Sequence, residues 1–320
     1  MNDEKGLLIK NKRIFITGGT GFFGKSMIRH RPEFNENDFV ILSPDPDKFK
    51  REFSTLLKGK RIRFLHGDVR DFKFPETNFD YIFHVAATSG KIIPDDEMRS
   101  VVIDGTKHVL DFALLNTHLS NLLYVSSGAV YGDKCNIPMH ENFSLEPVTV
   151  YGRSKLKAEK LCLDSGVPCS IARCFAFVGE YLPLDVHFAI GNFINACLNN
   201  QTIVIKGNGM PIRTYLYSGD LAHWLWMILL HGEPGRAYNV GSDHEISILE
   251  LAETVRKISG TNNDINILSP LSSAPPHRYV PNVSRANHDL GLEAKTLLEE
   301  AIRLTLEHHR LLKQWQKKKS

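Results

Sequence analysis

Short apolar runs rich in β-branched residues alternate with segments of helical periodicity up to about residue 175 of the chain. Helices are predicted from about Phe23, from about Glu97 to Leu115, and from Tyr151. The apolar runs between them read RIFITGG, FVILS, IRFLHGD, YIFHVAA, NLLYVSS and CSIARCFAFVG. Strands that are apolar on both faces and separated by helices are typical of a parallel sheet covered on both sides. The pattern therefore predicts an α/β, doubly wound fold.

The alternation weakens after Gly179, where Pro and Gly interrupt the sequence repeatedly. Helical periodicity returns at 219–231, at 246–259 and from about Lys295. We expect a smaller, mixed α/β lobe that packs against the sheet domain. The sheet domain is predicted to cover 1–178 together with about 211–240, and the second lobe about 179–210 and 241–320.

Charge and composition point away from several classes of protein. The 39 Lys and Arg nearly balance the 36 Asp and Glu, so the net charge of +3 favours neither a nucleic-acid partner nor an anionic membrane. The start, MNDEKGLLIKNK, is too charged for a signal peptide, and the apolar run LAHWLWMILL is too short to cross a bilayer. Five cysteines without a C-x-x-C pair argue against a zinc site and against a disulfide framework. We expect a soluble cytosolic protein that binds no metal.

A glycine triplet follows the first predicted strand directly. In ITGGTGFFG, Gly18, Gly21 and Gly24 stand where a helix begins. Glycine permits the tight turn, the close approach of the backbone to a pyrophosphate and the close packing of helix on strand. Such loops also serve as plain turns, but this position in the sequence predicts dinucleotide binding.

The end of the second strand bears on which dinucleotide is bound. A carboxylate that binds the adenine ribose of NAD is expected there, but the sequence has Ser43. The small hydroxyl leaves room for the 2′-phosphate of NADP, and Lys48, Lys50 or Arg51 could supply charge, although nearby aspartates oppose it. NADP is favoured over NAD on this basis. Asp68, after the third strand, could accept from the adenine amino group or cap a helix.

Three polar residues suggest proton transfer at a substrate oxygen. Tyr151 and Lys155 in YGRSK lie one turn apart on one helix face, and an ammonium near a phenol favours the phenolate. An oxidised nicotinamide would act in the same direction, so that the phenol could exchange a proton with an alcohol or carbonyl. In VSSGAVYG, Ser126 and Ser127 end the preceding strand and offer a hydroxyl that could hold the substrate oxygen.

With these motifs the chain resembles the extended short-chain dehydrogenase/reductases of the NAD-dependent epimerase/dehydratase family. That family includes nucleotide-sugar 4-epimerases, 4,6-dehydratases, decarboxylases and 4-ketoreductases. The likeness covers nearly the whole chain, through GGTGFFG, GDVRD, HVAA, SSGAVYG, YGRSK, IARCFAFVG and GNGMPIRTYLYSGDLA. It implies a Rossmann domain, a nucleotide-sugar-binding second lobe, and a catalytic triad of Ser127, Tyr151 and Lys155.

The resemblance also implies which residues line the two binding sites. The cofactor is expected to contact Gly18, Gly21, Phe22, Phe23, Gly24, Ser43, Asp68, Val69, Ala86, Ala87, Tyr151 and Lys155. The nucleotide sugar is expected to contact Thr88, Ser89, Ser127, Asn192, Arg213 and Arg278. Arginine suits the diphosphate because its guanidinium can bind two phosphate oxygens at once.

The residues after the catalytic hydroxyl separate the branches of the family. In relatives that remove water or carbon dioxide an acidic residue follows it, whereas this chain has Gly128 and Ala129. Dehydration and decarboxylation are therefore disfavoured, which leaves 4-keto reduction, favoured by Ser43, or 4-epimerisation with retained NAD. A non-catalytic cofactor sensor is the alternative from another class. By the resemblance we also expect a homodimer formed through helices at about 97–115 and 151–164.

Overall fold

The computed structural model describes residues 9–76, 78–86, 93–133, 137–186, 188–270 and 275–317. The strands of this part of the chain are β1 (Arg13–Thr17), β2 (Asp38–Ser43), β3 (Ile62–His66), β4 (Tyr81–His84), β5 (Asn121–Ser127), β6 (Cys169–Cys174), β7 (Phe177–Val178), β8 (Ile203–Ile205), β9 (Ile212–Arg213), β10 (Leu216–Tyr217), β11 (Ala237–Val240), β12 (Ile246–Ser247), β13 (Ile265–Ile267) and β14 (Arg278–Tyr279). The helices are α1 (Phe22–His30), α2 (Pro46–Glu52), α3 (Ser54–Leu57), α4 (Asp95–Arg99), α5 (Gly105–Leu114), α6 (Val150–Asp164), α7 (Ala189–Leu198), α8 (Ser218–His231), α9 (Ile248–Ser259), α10 (Ser284–Leu290) and α11 (Leu298–Lys317).

The central sheet has seven parallel strands in the order β11-β6-β5-β4-β1-β2-β3. The direction of winding reverses between β1 and β4, and in such sheets ligands bind outside the carboxyl ends of the strands at this reversal. The predicted doubly wound Rossmann fold is confirmed. The six apolar runs of the first half of the sequence form β1 to β6, and β6 is buried along its whole length because it lies inside the sheet.

Apolar side chains cover both faces of the central sheet. On one face, α1 and α8 contribute Met27, Ile28, Trp224 and Trp226 to a buried cluster. On the other, Phe112 of α5 and residues of α6 pack against strand residues such as Phe15. These two layers give the strands their continuous apolar character.

The second half of the chain combines short strands with helices. One buried cluster joins α7, α9 and α11, and β8 pairs with β13 beside it. In a separate three-stranded sheet, β9 lies between β12 and β14. Because β11 joins the central sheet, the chain returns to the first domain after β9 and β10.

The helices predicted from periodicity are present with small shifts at their ends. The helix expected at about 97–115 consists of α4 and α5 with a π-helical turn at Ser100–Asp104 between them. The segment 246–259 divides into β12 and α9, because Ser247 caps the helix with its side chain and Glu250 bonds back to Ser247. Pairing of the helices at about 97–115 and 151–164 with those of a second copy of the chain remains a prediction.

Within the described ranges, no helix combines the length and apolar character that crossing a bilayer requires. The same ranges contain no group of three or more His, Cys, Asp or Glu side chains arranged to hold a metal ion. Cys162, Cys169, Cys174 and Cys197 are buried and free, and burial raises the pKa of the Cys174 thiol.

Candidate active site

The glycine triplet forms a tight turn in which Gly18 and Gly24 leave no room for a side chain. Gly18 has a φ of +70°, and a Cβ added to it would lie 2.7 Å from the backbone nitrogen of Ala86. A Cβ on Gly24 would lie 2.0 Å from the backbone oxygen of Gly19, so α1 packs directly on the loop. Gly21 caps α1 at its amino terminus. Backbone N–H groups at a helix start attract anions, and this cradle fits a dinucleotide pyrophosphate.

Other residues predicted to contact the cofactor lie at the start of α1, after β3 and after β4. Phe22 and Phe23 open α1 and are partly buried. Val69 is buried, and the N–H of Ala86 donates to Thr17 Oγ1 at 3.1 Å, just beyond the end of β4. Ala87, Thr88 and Ser89 lie outside the described residues.

Ser43 lies at the carboxyl end of β2 and is buried. Its Oγ accepts the N–H of Asp45 at 3.2 Å, and the Asp45 carboxylate caps α2 by accepting the N–H of Lys48 at 3.0 Å. Lys50 is also occupied, since its Nζ lies 3.3 Å from Asp47. Hydrogen bonds among residues 43–48 thus fix this turn, and the last residue of β2 is a serine and not a carboxylate.

Asp68 is engaged by a neighbouring arginine. Its two oxygens accept from Nε and Nη2 of Arg70 at 2.8 and 2.7 Å, and these bonds lower the pKa of the carboxyl. The alternative that Asp68 caps a helix is wrong, because no helix begins after it; Asp68 Oδ1 accepts the N–H of Arg70 at 2.9 Å in a turn at 69–71. A contact of Asp68 with adenine stays a prediction.

The structure brings Ser127, Tyr151 and Lys155 together at the carboxyl end of β5. Ser127 is the last residue of that strand, and α6 begins beside it because Thr149 Oγ1 accepts the N–H of Gly152 at 3.0 Å. The hydroxyl of Ser127 interacts with the phenol of Tyr151. Lys155 is buried one turn along the helix, where its Nζ donates to the carbonyl of Val125 at 2.7 Å.

The expected effect of Lys155 on the Tyr151 pKa is not found in the protein alone. Burial raises the pKa of Tyr151 to about 12 and outweighs the opposing contact with Ser127. Burial also lowers the pKa of Lys155 to about 8, and its Nζ lies 5.9 Å from the centre of the Tyr151 ring. Removal from water disfavours both charged forms at once, an effect that the spacing of Tyr151 and Lys155 in the sequence does not reveal.

Ser126, the other hydroxyl of the strand end, belongs to a different network. It is buried and donates to Glu159, which also accepts from Arg173 at distances between 2.9 and 3.3 Å. Of the two serines in the motif, Ser127 is therefore the one at the site.

No acid follows Ser127, and the space beside Gly128 is filled by aromatic side chains. A Cβ added to Gly128 would lie 2.6 Å from the phenol oxygen of Tyr279 and 2.9 Å from the ring of Phe175. The Ser127 hydroxyl interacts with Tyr279 as well as with Tyr151. Sequence reasoning missed Tyr279, since no motif marks it and it is remote from Ser127 along the chain.

The predicted diphosphate ligands are placed differently from one another. Arg213 pairs in register with Tyr279, and its guanidinium carbon lies 6.0 Å from the centre of that ring. The neighbouring Arg278 forms an ion pair with Glu245. Asn192 is half-buried in α7. Of these three residues, Arg213 is connected to Ser127, because it contacts Tyr279 and Tyr279 interacts with Ser127.

The model of the NAD dependent epimerase/dehydratase family matches residues 14–241. UDP-glucuronic acid decarboxylase 6 of Arabidopsis thaliana is 28% identical over 94% of this chain and 90% of its own length. dTDP-D-glucose 4,6-dehydratase of Mus musculus is 30% identical over 93% of this chain and 89% of its own. The solved structure of UDP-glucuronic acid 4-epimerase from Bacillus cereus with NAD superimposes with a TM-score of 0.82, at 22% identity, over 94% of this chain and 99% of that one.

Proposed function

The chain is an extended short-chain dehydrogenase/reductase of the NAD dependent epimerase/dehydratase family, and on that premise we propose that it moves hydride and proton at carbon 4 of a nucleotide-diphosphate hexose. The observation that carries the proposal is the arrangement at the end of β5. There the hydroxyl of Ser127 interacts with the phenol of Tyr151, and Lys155 is buried one helical turn further along α6. The two residues that follow Ser127, Gly128 and Ala129, have no acidic side chain.

The nicotinamide cofactor, when bound, supplies the acceptor and donor of hydride. Gly18, Gly21 and Gly24 would hold its pyrophosphate at the start of α1, where Gly18 and Gly24 let the turn pack against the backbone of Ala86 and Gly19. Lys155 would donate a hydrogen bond to the nicotinamide ribose. Its pKa of about 8 leaves it mostly protonated at neutral pH, so it remains a donor.

The substrate oxygen at carbon 4 would be held by Ser127 and would exchange its proton with Tyr151. A phenol whose pKa is raised to about 12 is neutral at pH 7 and can donate its proton to a carbonyl oxygen. Keto reduction requires this direction of transfer. Oxidation of an alcohol requires the reverse, and it would be assisted by any positive charge brought near the phenol.

The curated relatives include enzymes named as decarboxylases and dehydratases, but position 128 argues against their chemistry here. Removal of water from a hexose requires a base for one carbon and an acid for another. Neither Gly128 nor Ala129 can serve, and Tyr279 and Phe175 occupy the space into which a side chain at 128 would point.

Two reactions use this set of groups, and Ser43 favours the first of them. A 4-ketoreductase exchanges its cofactor in every turnover, and the absence of a carboxylate at the end of β2 favours NADP for this role. A 4-epimerase keeps NAD bound and returns hydride to the opposite face of the sugar. That second candidate is supported by similar solved structures that are 4-epimerases, among them the UDP-glucuronic acid 4-epimerase, which has NAD bound.

Arg213 is the strongest candidate ligand for the diphosphate in the second lobe. Its guanidinium is partly buried beside His277, with Nη1 3.3 Å from the imidazole Nδ1, and no carboxylate is paired with it in the described residues. Burial lowers the pKa of Arg213, so an anion that binds there would relieve an unfavourable charge. Arg278 is neutralised by Glu245 and is the weaker candidate.

Identification of the cofactor tests the proposal and distinguishes the 4-ketoreductase from the 4-epimerase. The purified protein is denatured and the released nucleotides are analysed by mass spectrometry, with turnover assayed in parallel. Retained NAD, together with interconversion of two nucleotide hexoses, would support the epimerase. An empty protein that oxidises NADPH only in the presence of a nucleotide-linked 4-keto-hexose would support the reductase. Release of water or carbon dioxide from a nucleotide sugar would refute both.

A further inference from the structure

Tyr279 lies at the candidate active site although it comes from the second half of the chain. It is the last residue of β14 and pairs in register with Arg213 of β9. Its ring packs on that of Phe175 with 4.8 Å between the centres. The following residues are fixed as well, because Met139 donates its N–H to Val280 at 2.8 Å. Tyr279 is thus held by a strand pairing, an aromatic contact and the adjacent backbone.

The phenol of Tyr279 points to the turn that follows Ser127. A Cβ on Gly128 would lie 2.6 Å from the phenol oxygen, closer than such atoms approach in proteins, so Gly128 and Tyr279 form a matched pair. Tyr279 is only partly buried, like Tyr151, and the Ser127 hydroxyl interacts with both phenols.

The hydrogen-bonding capacity of Ser127 limits what these two phenols can do. A serine hydroxyl has one proton to donate and two lone pairs. One lone pair of Ser127 accepts the N–H of Ala129 at 3.2 Å. If Ser127 and Tyr151 both direct their protons to the substrate oxygen, one lone pair of Ser127 remains and can accept from the hydroxyl of Tyr279. Burial raises the pKa of Tyr279 above its ordinary value, so its hydroxyl keeps its proton and can be that donor.

We propose that Tyr279 is a positioning residue, whose hydroxyl donates to Ser127 Oγ and thereby turns the Ser127 proton toward the substrate oxygen at carbon 4. The contact depends only on the protein, whereas its effect on turnover rests on the proposed function. A bond accepted by Ser127 also strengthens the bond that it donates, because hydrogen bonds in a chain polarise one another.

Tyr279→Phe tests the proposal, since it removes the hydroxyl and keeps the ring that packs on Phe175. We expect kcat to fall about tenfold, as for loss of one neutral hydrogen bond, with KM and cofactor affinity within about twofold of wild type. In a Ser127→Ala background the same change should cost nothing further, because the residue through which Tyr279 acts is gone. Equal losses in both backgrounds, or wild-type kcat for Tyr279→Phe, would overturn the proposal.

Tyr215→Phe is the matched control. Tyr215 is a buried phenol near Arg213, and it packs in the core of the second lobe. We expect wild-type kcat for this variant. A loss equal to that of Tyr279→Phe would mean that the effect arises from the surroundings of Arg213 and would overturn the role assigned to Tyr279.

A spectroscopic measurement separates this inference from the proposed function. In protein labelled with ¹³C at tyrosine Cζ, the resonances of Tyr279 and Tyr215 are identified by their loss in the two Phe variants. Ser127→Ala should shift the Tyr279 resonance and leave that of Tyr215 unmoved; an unmoved Tyr279 resonance would overturn the contact. If the wild-type protein turned over no nucleotide hexose, the proposed function would fail, and this resonance alone would decide the contact.

Discussion

Two consecutive serines at the end of β5 lie in opposite surroundings. Ser126 donates to Glu159, whose carboxylate is also bonded by the guanidinium of Arg173, and all three side chains are buried. Ser127 faces the partly exposed phenols of Tyr151 and Tyr279. Successive side chains of a strand point to opposite sides, so one residue step divides a closed ionic network from an open site.

The two sides differ in how their charges are balanced. On the Ser126 side, carboxylate and guanidinium neutralise each other inside the protein. On the Ser127 side, burial disfavours the charged forms of both Tyr151 and Lys155, and the negative charge of Glu159 offsets this cost for Lys155 only in part. Groups whose pKa is shifted by burial concentrate where ligands bind. We therefore expect changes on the Ser126 side to lower stability and changes on the Ser127 side to lower activity.

The largest effect is expected from Tyr151→Phe. Removal of the phenol hydroxyl eliminates the group that exchanges a proton with the substrate, and such groups contribute about 10²–10⁴-fold to the rate. We expect a loss of kcat in that range, with cofactor binding unchanged when it is followed by fluorescence titration. Unchanged turnover would refute the mechanism, whereas equal loss of cofactor binding would point to a structural defect.

Glu159→Gln should produce the largest loss of stability. The change leaves the buried guanidinium of Arg173 without its counter-ion, and breaking a buried pair in this way costs about 3–5 kcal/mol. The free energy of unfolding, from urea titration of both proteins, measures this loss. The kcat per folded molecule should stay near wild type, and a variant as stable as wild type would contradict the closed-network interpretation.

The sequence was sufficient to predict the fold and the catalytic candidates for physical reasons that are local. Alternating apolar strands and helices predict a parallel sheet, and the glycine turn follows the first strand as expected. Tyr151 and Lys155 lie one helical turn apart, so their proximity follows from spacing alone. Ser127 comes next to them because β5 and α6 are adjacent in the fold.

Other features of the site depend on contacts that no local pattern predicts. Tyr279 reaches Gly128 through the pairing of β14 with β9, and strands of two residues have no periodicity to detect. The direction of the Tyr151 pKa shift depends on how deeply the site is buried, which a helical spacing does not reveal. The assignment of Ser126 to an ionic network likewise required the position of Arg173 on the neighbouring strand.

Smaller effects than these are expected from Ser126→Ala and Ser127→Ala, which should differ in kind. Loss of the Ser126 bond to the Glu159 carboxylate should cost about 1.5–3 kcal/mol of unfolding free energy and leave kcat unchanged. Ser127→Ala should do the reverse, with a lower kcat and unfolding free energy within about 1 kcal/mol of wild type. Urea unfolding and steady-state kinetics on both variants measure these effects. Equal losses of stability in the two variants would contradict the contrast between Ser126 and Ser127.

The smallest effect, and the one with an unusual sign, is expected from Lys155→Met. Burial lowers the pKa of Lys155 from 10.5 to about 8, so below pH 8 the folded protein carries the full cost of a buried ammonium. Methionine has similar length and no charge. The gain is reduced because the carbonyl of Val125 loses its donor, and we expect the variant to be more stable at pH 7 by about 1 kcal/mol.

The pH dependence of this difference checks its cause. As the pH rises from 8 toward 10.5, folded Lys155 loses its proton before the unfolded chain does, so the stability of the wild-type protein rises relative to that of the variant. Urea unfolding at pH 7 and near pH 10 should therefore show the advantage of Lys155→Met shrinking or disappearing. An advantage that does not change with pH would assign the effect to packing, and a variant less stable at pH 7 would mean that the bond to Val125 outweighs the cost of burying the ammonium.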